Sequence, residues 1–303
     1  MERPPPPEQN AQKSTLNTKR NVKPERSRWW LRWRLGRRVR VDEGRPRSLE
    51  LWKPLQDMIN IPSLRPETRY GIPPADHYLF NREYIVGYSY LFKQPRWAAE
   101  VIDPNNRRVE IDERTDSFRP DLRIPKIFRP GLEDYKGSGF DRGHLVASAD
   151  RRASGTLNSE TFLLTNMSPQ HPQLNRQAWR ILEQKVRDLS KAENVVEVYA
   201  ICGPLFDVGQ PITVIGDDPD DENDLRIPVP HSYFKCVLAE ELRGRMKMWA
   251  FIMPNEKCPE SLGEYQVSTR EVEARSGLLI WDRLVGEKFE KRKRRSSNLW
   301  FND

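Results

Sequence analysis

Three short apolar runs limit the fold of this chain more than any other feature of its sequence. They are residues 195–203 (VVEVYAICG), 233–240 (YFKCVLAE) and 246–254 (MKMWAFIMP). Each combines β-branched, aromatic and other apolar residues over eight or nine positions, which is typical of a buried strand. We therefore predict three strands that share one sheet.

Further segments complete the predicted architecture. REYIVGYSYLF (82–92) alternates as a strand does, RWAAEVID (96–103) is its expected hairpin partner, and TFLLTNMSP (161–169) is predicted to be a buried strand. NRQAWRILEQKVRDLS (175–190) carries an apolar stripe at helical spacing. VSTREVEARSGL (267–278) begins with a capping box and ends at a glycine, so it predicts a late helix. Strands outnumber helices, and we predict an α+β domain on a mostly antiparallel sheet.

Charge divides the chain into a basic N-terminal part and a nearly neutral body. Residues 1–50 hold 14 Lys and Arg against 6 Asp and Glu, whereas the rest holds 37 against 38. Residues 1–47 are also rich in Pro, Lys, Gln and Asn, a composition that cannot bury enough apolar surface to fold. We predict a disordered tail over 1–47, a folded domain over 48–287 and a basic, solvated tail over 288–303.

Two segments leave alternatives open. RWWLRWRLGRRVRV (28–41) interleaves tryptophan with arginine, and it could bind nucleic acid, lie on an anionic membrane surface or dock on its own domain. GDDPDDENDLR (216–226) is strongly acidic but lacks the spacing and the glycine of an EF-hand, which favours a solvated loop over a calcium site.

The cysteine spacing and the apolar segments of the chain argue against several classes of protein. Cys202, Cys236 and Cys258 have no short pair spacing, so we expect buried thiols rather than a zinc site or a disulfide framework. No apolar run reaches about 18 residues, and the N-terminus lacks the apolar region of a secretory signal, so neither a membrane span nor secretion is predicted. The compartment stays open.

The segment Asp141-Arg142-Gly143-His144 is the first candidate for chemistry, in a chain with only four histidines. A neutral imidazole can take a proton from water near neutral pH. Arg142 offers a planar fork suited to phosphate, and Gly143 lets backbone or substrate approach closely. Asp141 could orient the loop or the imidazole. These residue types suit the hydrolysis of a phosphodiester.

The predicted helix at 175–190 supplies candidate metal ligands. Asn175 and Glu183 are eight residues apart, a little over two turns, so both would project from one broad face. Magnesium prefers oxygen ligands and keeps most of its water, which suits one amide oxygen together with a carboxylate that holds metal-bound water. The structural alternative is that Asn175 caps the helix and Glu183 pairs with Arg187.

The motifs DRGH (141–144), TNMSPQ (165–170) and LNRQAWRILE (174–183) resemble those of the DNA/RNA non-specific endonucleases, the ββα-metal or His-Me finger nucleases. Their order is closest to the endonuclease G-like branch. Further landmarks occur in the same order, namely RYGIP (69–73), REYIVGYS (82–89), SFRPD (117–121), CGPLF (202–206) and VPHSYFKCVL (229–238). The resemblance covers roughly residues 65–285 and leaves both tails uncovered.

The resemblance implies a role for each matching residue. His144 would be the general base, Asn175 the direct magnesium ligand and Glu183 the holder of a metal-bound water. Asn166 would lie near the base and the scissile phosphate. The remaining candidates are the phosphate-binding arginines and the loop scaffold, Arg119, Arg142, Arg187 and Asp141; for Arg187 and for Gln170 a structural role is equally expected.

The expected function is metal-dependent hydrolysis of DNA and RNA with little sequence preference, with Mg²⁺ or Mn²⁺ as cofactor. The alternatives are a non-catalytic nucleic-acid-binding protein that acts through its Trp/Arg-rich tail and a membrane-surface or partner-docking protein that uses the same tail. A zinc nuclease of the HNH type is not expected, because this chain lacks the necessary cysteine pairs. The resemblance also implies a homodimer, and it makes a mitochondrial location one of the possibilities.

Overall fold

The computed structural model describes residues 65–103, 117–216 and 226–302. Predictions for the N-terminal tail, including 28–41, and for most of the acidic loop at 216–226 lie outside these residues. Within them, no helix is long and apolar enough to cross a membrane.

A seven-stranded antiparallel sheet organises the molecule, in the order β1-β2-β3-β6-β9-β10-β11. Every strand pair within it is antiparallel. Its strands are β1 (His77–Phe80), β2 (Tyr84–Ser89), β3 (Gln94–Val101), β6 (Val195–Leu205), β9 (Ser232–Glu241), β10 (Arg245–Pro254) and β11 (Gln266–Val267).

Two short hairpins stand beside this sheet. One pairs β4 (Asp141–His144) with β5 (Met167–Gln170), and the other pairs β7 (Val214–Ile215) with β8 (Ile227–Pro228). The helices are α1 (Gly155–Glu160), α2 (Arg180–Leu189), α3 (Thr269–Ser276) and α4 (Glu287–Lys293), and a π-helical turn over Leu174–Trp179 leads directly into α2. The predicted α+β class with a mostly antiparallel sheet is confirmed.

Apolar side chains cover both faces of the large sheet. In β10, Trp249 and Phe251 belong to one buried cluster, which also contains Leu182 of α2. Met248 and Ala250 alternate with them and belong to a second cluster on the other face, where Val272 of α3 packs. Burial on both faces explains why these strands are continuous apolar runs in the sequence.

The late helix begins and ends as its sequence predicts. Ser268 caps α3 by accepting a hydrogen bond from the backbone amide of Glu271 at 3.1 Å. Gly277 ends the helix with a φ of 67°, a left-handed conformation that glycine adopts without steric cost.

Two predictions of local structure are corrected. The predicted strand over 161–169 is shorter and starts later, because only Met167–Gln170 is a strand. A 3-10 turn over Leu164–Asn166 precedes it, and the amide of Asn166 donates to the carbonyl of Leu163 at 2.8 Å. The C-terminal segment is not a solvated tail. Residues 287–293 form α4, and the side chains of Leu299, Trp300 and Phe301 pack against the core.

Candidate active site

A cleft of about 1150 Å³ lies between the β4–β5 hairpin and the helix formed by residues 174–189. We call these two structures the hairpin wall and the helix wall. His144 of the hairpin wall and Asn175 and Glu183 of the helix wall all line this one cleft. Chain positions that are 31 residues apart therefore converge on a single cavity.

Aromatic rings hold the functional side chains of the hairpin wall. The imidazole of His144 meets Phe162 edge-on at 5.0 Å and Phe118 at 5.7 Å between ring centroids. The guanidinium of Arg142 lies 4.3 Å from the centre of the Phe118 ring, a distance suited to a cation–π contact. His144 and Arg142 thus share Phe118 as a common support.

Gly143 is required by packing inside the hairpin. A β-carbon at this position would lie 2.2 Å from Oε1 and 2.5 Å from Cβ of Gln170, well inside van der Waals contact. Gln170 is fully buried on the paired strand. Of the two partners expected to approach this glycine closely, the paired strand does so, because the side chain of Gln170 occupies the space that substrate would need.

The helix wall contains a π-helical turn that changes the direction of Asn175. Over eight residues, a regular α-helix rotates by about 800°, which leaves two side chains roughly 80° apart. A π-helical residue rotates by only roughly 80°, so the turn over Leu174–Trp179 brings Asn175 and Glu183 to within roughly 20° of one another. Both side chains consequently face the cleft more directly than an uninterrupted α-helix would allow.

Asp141 links the two walls. It accepts a hydrogen bond from Nδ2 of Asn175 at 2.9 Å and a bidentate pair from Arg176, at 2.8 Å from Nε and 2.6 Å from Nη2. Burial alone would raise the pKa of the Asp141 carboxyl, but these hydrogen bonds hold the pKa below its ordinary value. Asp141 is therefore a fixed carboxylate, and it holds Asn175 through the amide nitrogen rather than the amide oxygen.

Glu183 lies at the bottom of the helix wall and is only 8% exposed. Burial raises the pKa of its carboxyl to about 7, although Lys235 and Arg187 act in the opposite direction. The carboxyl therefore ionises close to neutral pH in the protein without a bound cation, and a cation beside it would favour the ionised form.

Buried charged groups lie close to Glu183, and one of them, Arg187, also lines the cleft. Arg187 is 6% exposed and donates a hydrogen bond from Nη1 to Asp150 at 3.0 Å. Arg151 is fully buried, and its Nη2 lies 3.0 Å from a carboxylate oxygen of Glu100. The guanidinium of Arg187 is thus already paired inside the protein, and its contact with nucleic acid stays a prediction.

Asn166 is fully buried beneath the hairpin wall rather than exposed in the cleft. Its amide oxygen accepts from the backbone of Val146 at 3.0 Å, and its Nδ2 donates to the carbonyls of Val146 and Thr161 at 2.9 Å. The side chain therefore fixes the chain just after His144.

Arg119 is not among the residues that line the cleft. Its Nη1 donates to the carbonyls of Ser117 and Ser159 at 3.0 and 2.9 Å. Its contact with phosphate stays a prediction, whereas Arg142 does line the cleft.

Sequence reasoning missed Arg176 and Phe118. Arg176 follows the predicted ligand Asn175 directly, and its position beside a candidate carboxylate could have been anticipated only from the pairing of the two walls. Phe118 lies next to the candidate Arg119, but nothing in its sequence neighbourhood indicates that it supports His144. Further cations at the rim are Lys136, Arg152, Arg180 and Lys185.

The donor set of the cleft fits a hard divalent cation rather than zinc. No group of three or more His, Cys, Asp or Glu side chains close enough to hold a metal occurs in the described parts of the chain. An amide oxygen at Asn175 and a buried carboxyl at Glu183 match the oxygen ligands of magnesium, which supplies the rest of its shell from water and phosphate.

Known proteins with similar sequences are nucleases. The profile of the family described as DNA/RNA non-specific endonuclease matches residues 64–286. Mitochondrial endonuclease G of Homo sapiens is 32% identical over 225 residues, 70% of this chain and 72% of the human protein. The mitochondrial nuclease of Saccharomyces cerevisiae is 33% identical over 239 residues, 73% of this chain and 70% of the yeast protein.

A solved structure gives the same result. A chain from the crystal structure of the EndoG/EndoGI complex, reported for the mechanism of EndoG inhibition, superposes with a TM-score of 0.64 at 31% identity, covering 72% of this chain and 91% of that one. The chain belongs to the DNA/RNA non-specific endonuclease family, in its endonuclease G-like branch, and is a hydrolase that acts as a nuclease.

Proposed function

We propose that this protein is a metal-dependent endonuclease that hydrolyses phosphodiester bonds in both DNA and RNA, with His144 as the general base. The observation that carries the proposal is the convergence of His144, Asn175 and Glu183 on one cleft. Hydrolysis requires a base for water, a site that stabilises charge on phosphate and a means to hold the backbone, and these residues are of the types that supply them.

His144 removes a proton from the attacking water. The water oxygen forms its bond to phosphorus while the bond from phosphorus to the 3′ oxygen breaks. The leaving 3′ oxygen takes a proton from solvent, and the imidazolium of His144 returns its proton to solvent. The imidazole is held edge-on by Phe162, so its direction is set by packing before substrate binds. A base fixed in this way needs no reorganisation during the reaction.

Asn175 and Glu183 form the proposed cation site. Asn175 would hold Mg²⁺ directly through its amide oxygen, and Glu183 would hold a water of the cation. A bound divalent cation would neutralise charge on the phosphate and on the leaving oxygen. Asp141 orients the amide of Asn175 through the hydrogen bond from Nδ2. Mn²⁺ has the same preference for oxygen ligands and is expected to replace Mg²⁺.

Cations at the cleft are proposed to bind the backbone rather than the bases. Arg142 lies beside His144, and Lys136, Arg152 and Arg180 surround the opening. Contacts with phosphate carry no sequence information, which is why DNA and RNA should both be cut with little sequence preference. The relatives named as mitochondrial nucleases support an organellar location, and a homodimer is proposed from the family resemblance.

The test is digestion of supercoiled plasmid and of RNA by the full chain, with EDTA, Mg²⁺ and Mn²⁺ compared. His144→Ala should lower the rate by about 10²- to 10⁴-fold, the usual loss when a proton-transfer group is removed. His77→Ala is the matched control, because His77 bonds to Tyr90 and does not line the cleft. Wild-type rates from a clean preparation of His144→Ala, or full activity in EDTA, would refute the proposal.

A further inference from the structure

The C-terminal segment lies beyond the region matched by the family profile, which ends at residue 286. Its first part, helix α4, packs on the face of the sheet that carries the second cluster, where Phe289 contacts the core. Nζ of Lys293 donates to Glu273 at 2.9 Å, and both side chains are almost fully buried. The segment is therefore anchored before it continues.

The chain then passes the edge of the sheet. Strand β11 is the edge strand, and Nε2 of its Gln266 donates to the carbonyl of Ser297 at 2.6 Å. Nε1 of Trp249 in β10 donates to the carbonyl of Asn298 at 2.8 Å. Beyond these bonds, Leu299, Trp300 and Phe301 pack against the cluster on the opposite face. Residues 287–301 thus wrap from one face of the sheet to the other.

The end of this path is the helix wall. Nε1 of Trp300 donates to the carbonyl of Lys185 in α2 at 3.0 Å, and the Trp300 ring meets Trp249 edge-on at 4.8 Å. The ammonium of Lys185 lies 5.1 Å from the centre of the Phe301 ring. Lys185 lines the cleft and follows Glu183 by two residues.

We propose that residues 297–301 form a brace that positions α2, so that Glu183 and Lys185 are presented to the cation and the nucleic-acid backbone in the cleft. Trp300 is a positioning residue, because it acts through the backbone of Lys185. The Trp300 ring lies between β10 and α2, and it therefore fixes the distance of the helix from the sheet. The proposal rests on the proposed function of the same cleft.

The experiment compares Trp300→Ala and Trp300→Phe with Asn302→Ala in the full chain. Asn302 is exposed next to the brace and serves as the matched control. Each variant is assayed for kcat, KM and the Mg²⁺ concentration that gives half-maximal activity. Hydrogen exchange of the α2 amides and calorimetric titration with Mn²⁺ give readouts that do not depend on turnover, and the thermal midpoint reports overall stability.

Trp300→Ala should lower kcat by about 10- to 100-fold, because a displacement of roughly 1 Å in a catalytic group has effects of up to about this size. It should also raise the half-maximal Mg²⁺ concentration, weaken Mn²⁺ binding and speed exchange in α2. Trp300→Phe keeps a ring but removes the donor to Lys185, and its effect on the Mg²⁺ requirement should be about two- to tenfold. Asn302→Ala should match wild type in every readout.

A lower melting point with unchanged kcat, Mg²⁺ requirement, Mn²⁺ affinity and α2 exchange would show that the segment only stabilises the core, and would overturn the proposal. If Trp300→Ala fails to fold, Trp300→Phe tests the brace in its place, and wild-type values in all of its readouts would overturn the proposal.

Failure of the proposed function would look different. His144→Ala would then cut as fast as wild type, while exchange in α2 would still report whether the brace holds the helix.

Discussion

The hairpin wall and the helix wall hold their functional side chains by different means. His144 is held between the aromatic rings of Phe118 and Phe162, which are uncharged and insensitive to pH. Glu183 is buried near charged groups such as Arg187, and burial shifts its pKa toward neutrality. We therefore expect the hairpin wall to respond to changes in side-chain size, and the helix wall to respond to pH and to cations.

The largest expected effect separates the two walls by their dependence on metal. Asn175→Ala removes the proposed ligand, so the rate should fall by about 10²-fold or more, and part of the loss should be recovered at high Mg²⁺ concentration. His144→Ala should lose about as much, but no concentration of Mg²⁺ should recover it. Metal titrations of plasmid cleavage measure both. Equal recovery in the two variants would remove the proposed distinction between the walls.

The helix wall should also give the protein a pH-dependent stability. Because the pKa of Glu183 is raised from 4.5 to about 7 by burial, the folded state binds a proton more tightly than the unfolded state between these values. The free energy of unfolding should therefore fall as pH rises through this window, by at most about 3 kcal/mol. Glu183→Gln should lack this component in urea unfolding measured in EDTA.

A second carboxylate, that of Asp121, provides the opposite control. Burial alone would raise the pKa of Asp121, but hydrogen bonds from Arg123 and Thr165 hold this pKa below its ordinary value of 3.8. Its contribution to stability is present above this value and is lost as pH falls through the lower, folded-state pKa. Asp121→Asn should therefore be destabilised at neutral pH and approach wild type in acid. Parallel pH trends in the two variants would contradict the assignment of the two environments.

The hairpin wall should be intolerant of a single added methyl group. Gly143→Ala would place its β-carbon against Gln170, at a cost of about 1–3 kcal/mol in the free energy of unfolding. Gln170→Ala in the same chain removes the obstructing atoms beyond Cβ, and should recover part of the stability. Denaturant unfolding measures both variants. A Gly143→Ala protein as stable as wild type would show that the hairpin can move apart.

The smallest expected effect concerns the ring beneath Arg142. Phe118→Leu keeps an apolar side chain but removes the cation–π contact at 4.3 Å, which is worth about 0.5–1 kcal/mol. We expect KM to rise by about two- to fivefold. Because the same ring also supports His144, kcat should fall as well, while the Mg²⁺ requirement stays at its wild-type value. A changed Mg²⁺ requirement would mean that the two walls are not independent.

Features that depend on local chemistry could be predicted from the sequence. The apolar runs gave strands β6, β9 and β10, and Ser268 with Gly277 marked helix α3 because both act on neighbouring backbone groups. The DRGH and Asn/Glu motifs led to side chains that the fold brings into one cleft.

Features that depend on distant partners could not be predicted. Nothing in the residues of Leu174–Trp179 indicates the π-helical turn that the structure has there. The segment after 287 is so rich in charge that its sequence predicts a solvated tail. In the structure, Lys293 donates a hydrogen bond to the buried Glu273, and Trp300 donates one to the backbone of the helix wall. Each of these pairings joins residues that no local pattern connects.

The most direct test of the central claim is the anomalous scattering of Mn²⁺ in crystals of the His144→Ala protein soaked with the metal. We expect one strong peak in the cleft, about 2.1 Å from the amide oxygen of Asn175, with Glu183 one water molecule away. We also expect this peak to disappear in an Asn175→Ala crystal. A peak bound elsewhere, or one that persists without Asn175, would contradict the claim that the helix wall holds the cation of this nuclease site.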